Sequence, residues 1–129
     1  MNGDGQGELA RLRDLVREFV DERDWDQFHT PKNLAAALSV EAAELLEHFQ
    51  WLQNGRRDEL GEDKLRQVRH EIADVMVYLV RIADKLDIDL MSAVEEKMVI
   101  NRAKYPAALV RGDARKYSEY KHADQRAAD

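Results

Sequence analysis

From His70 to Asp84 the chain reads HEIADVMVYLVRIAD, and between Ile72 and Ile82 only Asp74 and Arg81 interrupt an apolar run. The run reads as a helix that must be buried. A carboxylate inside it is costly unless something cationic meets it. Upstream, NLAAALSVEAAELLEHFQWL is also apolar on nearly every side. A small all-α monomer shows solvent a broad polar face. Two helices that lack one constrain the fold to an all-α subunit that buries them, in part, against other copies of itself.

The rest of the chain fits that class. Leu9, Leu12, Leu15, Val16, Phe19 and Val20 recur at helical spacing and predict a first helix from Glu8 to about Arg23. Pro31, at the end of the loop DWDQFHTPK, bars its continuation. Asn33 is placed to cap a second helix that runs to about Leu52. After the break QNGRRDELGED, a third helix is predicted from Asp63 to Lys85. Asp87 or Asp89 can cap a fourth, which should stop near Tyr105 because Pro106 follows. No stretch reads as a strand. The expected organisation is a flexible leader over residues 1–6 and one four-helix-bundle-like domain over 7–105. A polar tail, extended or partly disordered, follows over 106–129.

Composition excludes several functions. A net charge of −6 argues against nucleic-acid binding through a basic surface. An anionic substrate would therefore need a metal ion or a local basic patch. Cysteine is absent, which removes thiol nucleophiles and thiolate metal sites. The N-terminal residues lack an apolar signal segment, and no apolar run reaches membrane-spanning length, so the expected location is the cytoplasm and no membrane partner is expected.

The acids carry the chemistry. Glu41 and Glu44 lie three apart on the second helix, and Glu71 and Asp74 lie three apart on the third, so each pair shares a helix face. Glu41 with Asp74, and Glu44 with Glu71, are centred on one point inside the predicted break. An antiparallel hairpin folded there brings all four carboxylates to one height. Such a cluster repels itself unless cations sit in it. Oxygen-only ligands favour Mg²⁺ or Mn²⁺ over iron or zinc. His48 and His70 adjoin the acids in sequence but point elsewhere, and read as structural.

These residues resemble a known family. E41-A-A-E44, a spacer and E71-I-A-D74 resemble the ExxE…ExxD signature of the all-α nucleoside triphosphate pyrophosphohydrolases, the MazG-like superfamily. ERDWDQFHTPKNL, EHFQW and KMVINRAKYP are similar to its dCTP pyrophosphatase branch. The resemblance runs from about Phe19 to Tyr117. It implies Mg²⁺-dependent hydrolysis of the α–β phosphoanhydride of dCTP, or modified dCTP, to the monophosphate and diphosphate, with Mn²⁺ as a substitute ion. It implies Glu41, Glu44, Glu71 and Asp74 as metal ligands, with Glu41 a candidate to orient or deprotonate the water. It also implies a homotetramer, a dimer of dimers, and a role in cleaning the nucleotide pool.

Substrate contacts come from the same resemblance. Lys97, Asn101, Arg102 and Tyr105 are candidate phosphate or sugar contacts, although Ala103 and Lys104 stand where a further basic residue is expected. Trp25, His29, Asn33, Trp51 and Tyr78 are candidates around the base. As a continuation of the second helix, Trp51 would lie on the face of Glu44, about 10 Å along the axis, and Tyr78 would diverge the other way. One pocket would then draw the two from different subunits. Phe19, Phe28 and Phe49 are expected in the core. The same chemistry on dUTP or another (d)NTP, or a non-catalytic oligomerisation module, are the competing readings.

Overall fold

A computed structural model describes residues 7–114, whose regular elements are all helical, with no strand among them. α1 spans Glu8–Glu22, α2 Pro31–Glu47, α3 Arg57–Lys85, α4 Leu90–Lys104 and α5 Ala107–Val110. A single 3₁₀ turn, Asp26–Phe28, sits between α1 and α2. None of these helices is long and apolar enough to cross a membrane. The leader and the tail beyond residue 114, His122 included, lie outside the described residues.

The chain divides into two compact units at Leu90. In the first unit, α1 and α2 both pack on α3. α2 runs antiparallel to α3, since His29, just before α2, meets Arg81 while Glu41 meets Glu71. Val16 and Val20 of α1, Leu34 of α2 and Val68, Val80 and Ala83 of α3 are its buried apolar residues. At about 1.5–3 kcal/mol for a buried Val or Leu, this is a small core. Leu46 and Ile72, in the very runs that had to be buried, stand 64% and 54% exposed. Phe19, in the last turn of α1, and Phe28, on the 3₁₀ turn that follows, were expected in the core but are also exposed. Phe19 makes an edge contact with Trp25, and the Arg23 guanidinium lies 3.9 Å over its ring.

Helix ends depart from expectation for local reasons. Thr30, not Asn33, caps α2: its hydroxyl accepts from the Asn33 backbone N–H at 3.1 Å, with Pro31 in the first helical position. The Asn33 side chain instead donates to the Phe28 carbonyl at 3.0 Å and ties down the loop. α2 ends at Glu47, five residues short of Leu52, because the chain folds back across Phe49. Gly55 makes this close approach possible, with a φ of +74°. A Cβ there would meet the Phe49 ring at 2.6 Å. α3 starts early, at Arg57, with the Glu59 carboxylate facing the Asn54 and Gly55 N–H groups at 3.4 Å and a break in helical geometry at Gly61.

α1 and α3 end alike. Trp25 N–H reaches Val20 O at 3.1 Å and Ile88 N–H reaches Ala83 O at 2.8 Å. Asp24 and Asp87 hold the left-handed position that usually falls to glycine. The first of these turns aims the chain from α1 into the Trp25–His29 loop.

In the second unit, α4 carries exposed Met91, Val94, Met98, Val99 and Ile100 over much of its girth, and Pro106 separates it from α5.

Candidate metal centre

The antiparallel pairing of α2 and α3 brings acids together as their spacing predicts, but three of them rather than four. Glu41, Glu44 and Glu71 each offer a carboxylate oxygen, and the three oxygens lie within 4.8 Å of one another. Asp74, one methylene shorter and exposed, is not in that group. It lies a turn further along α3 beside Tyr78. The Tyr78 hydroxyl is pushed up first by burial and then by the charges of Glu41, Asp74 and Glu44. Tyr78 therefore borders the acid centre rather than diverging from it.

The centre is short of positive charge. Among the described residues no ion pair reaches Glu41, Glu44 or Glu71. Glu41 Oε2 and Glu71 Oε1 are buried and lack any hydrogen-bond partner. Buried polar atoms are normally satisfied. The Glu41 carboxyl is pushed up to about 8, foremost by its contact with the Glu71 carboxyl, then by burial and by Glu44. An all-oxygen set with two orphaned oxygens and a carboxyl that retains its proton fits a hard divalent cation. His48 Nδ1 is buried without a partner as well, and His70 is exposed; neither joins the cluster.

The other candidates are dispersed. Trp51 lies past the end of α2, on a turn, and is 88% exposed, so it does not continue the Glu44 face. Trp25 is 43% exposed against Phe19. Lys97, Asn101 and Arg102 lie on α4, with Tyr105 just beyond its end, in the second unit.

Sequence reasoning left one cluster uninterpreted. Arg81, the second interruption of the apolar run, is 5% exposed. Its guanidinium donates to His29 Nδ1 at 3.1 Å, to Asp84 at 3.3 Å and to Asp26. Asp26 also accepts from Lys85 at 2.9 Å, and Asp84 accepts a bidentate pair from Arg17 at 2.7 and 2.5 Å. The Asp84 carboxyl is held down chiefly by Arg17, and the Asp26 carboxyl chiefly by Lys85. The signals in the sequence were a buried-looking arginine and an acid one helical turn on, Asp84.

The sequence pattern of the MazG-like family matches residues 36–120. The chain is 45% identical to human (Homo sapiens) dCTP pyrophosphatase 1 over 116 residues, which is 88% of this chain and 68% of that one. It is 43% identical to the rat (Rattus norvegicus) dCTP pyrophosphatase 1 over 113 residues, 86% of this chain and 66% of that one. The crystal structure of a pyrophosphatase from Archaeoglobus fulgidus superposes with a TM-score of 0.65 at 44% identity, covering 75% of this chain and 91% of that one.

Proposed function

We propose, on the premise that this chain belongs to the MazG-like family, that it hydrolyses dCTP to dCMP and diphosphate. The curated relatives named dCTP pyrophosphatase 1 support the substrate. The observation that carries the chemistry is the Glu41–Glu44–Glu71 cluster with its two unpartnered buried oxygens.

Glu41, Glu44, Glu71 and Asp74 would hold the divalent cation, Mg²⁺ or in its place Mn²⁺. When bound, the ion neutralises triphosphate charge and polarises the α-phosphoryl group. The residues of the chain supply the rest. One of the four, Glu41, instead orients or deprotonates the attacking water. The water oxygen bonds to the α-phosphorus, the α–β bridging bond breaks, and diphosphate leaves. Lys97 and Arg102 carry charge complementary to a triphosphate, and Asn101 and Tyr105 carry hydrogen-bonding groups for phosphate or sugar. Trp25 and Trp51 offer stacking surface for the base, with His29, Asn33 and Tyr78 as its polar contacts.

Residues 7–105 act as one catalytic domain, in a homotetramer built as a dimer of dimers, in the cytoplasm. Exposed apolar residues of α2 and α3 support the assembly. The net charge of −6 speaks against nucleic acid as a partner. A role in removing unwanted or modified dCTP follows from the reaction.

The test is a panel of (d)NTPs with and without Mg²⁺, read for both diphosphate and orthophosphate. Diphosphate from dCTP only with metal is the expected result. Orthophosphate with dCDP overturns the mechanism.

A further inference from the structure

The hydrogen bond from Arg81 to His29 fixes more than a loop. An arginine Nε–H is donor-only and does not lose its proton. His29 Nδ1, 3.1 Å away, must therefore present its lone pair. A neutral imidazole in that state carries its hydrogen on Nε2. Protonating Nδ1 would set one N–H against another. Arg81 cannot turn to relieve this, because Asp26 and Asp84 hold the other two nitrogens of its guanidinium and are themselves held by Lys85 and Arg17. Burial, then the Arg81 charge, push the imidazole down as well, with Lys85 in the same sense and Asp26 opposing. His29 Nε2 makes no hydrogen bond among the described residues and His29 is half-buried. It is a donor waiting for an acceptor.

Its position is informative. Glu71, Asp74, Tyr78 and Arg81 are spaced by three, four and three residues and form one stripe on α3. From Asp74 to Arg81 the stripe is about 10 Å long at ~1.5 Å per residue. That is comparable to the reach from the α-phosphorus of a nucleotide to the far edge of its base. The acids occupy one end of the stripe and the His29 donor the other.

We propose that Arg81 is a positioning residue that locks His29 as a hydrogen-bond donor, and that His29 Nε2–H reads N3 of cytosine. This rests on the dCTP reading above. Cytosine N3 is an acceptor, whereas uracil and thymine carry a hydrogen there. A fixed donor meeting N3–H leaves two donors unpaired, a penalty larger than the gain from one hydrogen bond. Specificity for cytosine over uracil thus starts at a buried arginine that never touches the nucleotide.

The test has two arms. On the native protein, ¹⁵N NMR should show His29 as the Nε2–H tautomer, neutral well below the usual histidine range. An Nδ1–H tautomer or an ordinary titration overturns the lock. In the second arm, kcat/KM is measured for dCTP and dUTP on wild type, Arg81→Met and His29→Gln. A glutamine amide presents either a donor or an acceptor, so H29Q should cut the dCTP-to-dUTP ratio about 10-fold, and Arg81→Met should cut it likewise. Inhibition by inorganic diphosphate should not move. H29Q lacks the buried charge change of Arg81→Met and keeps the test alive if the latter misfolds. A folded H29Q with the wild-type ratio overturns base reading by His29. A wild type idle on dCTP overturns the functional reading and the base contact with it, while the tautomer arm judges the lock by itself.

Discussion

Glu41 and Glu71 meet carboxyl to carboxyl between α2 and α3, and each keeps one buried oxygen without a hydrogen-bond donor. Nothing in a packing role calls for that arrangement, since a leucine in either place would be cheaper to bury. Repulsion in the metal-free centre and catalysis in the loaded one have the same origin, so one substitution should move them in opposite directions. We expect Glu44→Gln to lower kcat by roughly 100-fold or more, about 2.7 kcal/mol of transition-state stabilisation at ~1.36 kcal/mol per decade. The same change should raise Tm in EDTA. Wild-type turnover by a folded Glu44→Gln protein would remove the site assignment.

The pH dependence of the metal-free protein follows from Glu41. Its folded pKa of about 8 lies above the ordinary 4.5. A raised carboxyl contributes stability that is fully present below the unfolded value and lost as pH rises through the folded one. Tm in EDTA should therefore fall between about pH 5 and 9, and saturating Mg²⁺ should flatten the slope. A Tm in EDTA that is level across this range would contradict the buried proton.

Acid acts at a different place. Asp84 and Asp26 have carboxyls held below the ordinary 3.8, by Arg17 and Lys85 respectively. Their contribution is present above that value and disappears as pH falls through the folded one. Stability should drop below about pH 4 with or without metal. Asp84→Asn should blunt that acid-side loss and leave the alkaline slope unchanged, which thermal melts across pH can check.

The helices were legible because periodicity and proline punctuation act locally. The acid centre was legible for a related reason: two pairs equidistant from one loop need only a hairpin to meet. Asp74 stands outside the tight group of three carboxylates, because residue spacing takes no account of its shorter side chain. The end of α2 was misread because it depends on Gly55 approaching Phe49. The Arg81 cluster was legible only in part: Asp84 lies three residues on, but the partners Asp26 and His29 lie 55 and 52 residues away. Periodicity reveals that an arginine is buried, but not what compensates it.

Assembly is the next expectation. Val40 and Leu46 on α2, and Ile72 and Leu79 on α3, are between 42% and 64% exposed in the single chain. A monomer would keep this surface in water at about 25 cal/mol for each Å². Light scattering should give a multiple of 14.9 kDa at micromolar concentration. Leu46→Glu with Ile72→Glu should lower that mass. A wild-type monomer at 14.9 kDa would refute the tetramer.

Trp51 offers the cleanest separation of substrate binding from packing. At 88% exposure it buries almost nothing within its own subunit, so Trp51→Ala should barely change the Tm of that subunit's fold. If its indole stacks on cytosine, that contact is worth about 1–3 kcal/mol, roughly 5- to 150-fold in affinity at ~1.4 kcal/mol per decade. Inorganic diphosphate has no base, and its inhibition constant should hold. Trp25 behaves differently, because its edge contact with Phe19 at 5.6 Å is lost on truncation and some stability goes with it. The informative comparison is therefore dCTP against diphosphate on Trp51→Ala, with mass measured alongside. Equal weakening of both ligands together with a smaller particle would make Trp51 an interface residue and leave Trp25 alone to stack on the base.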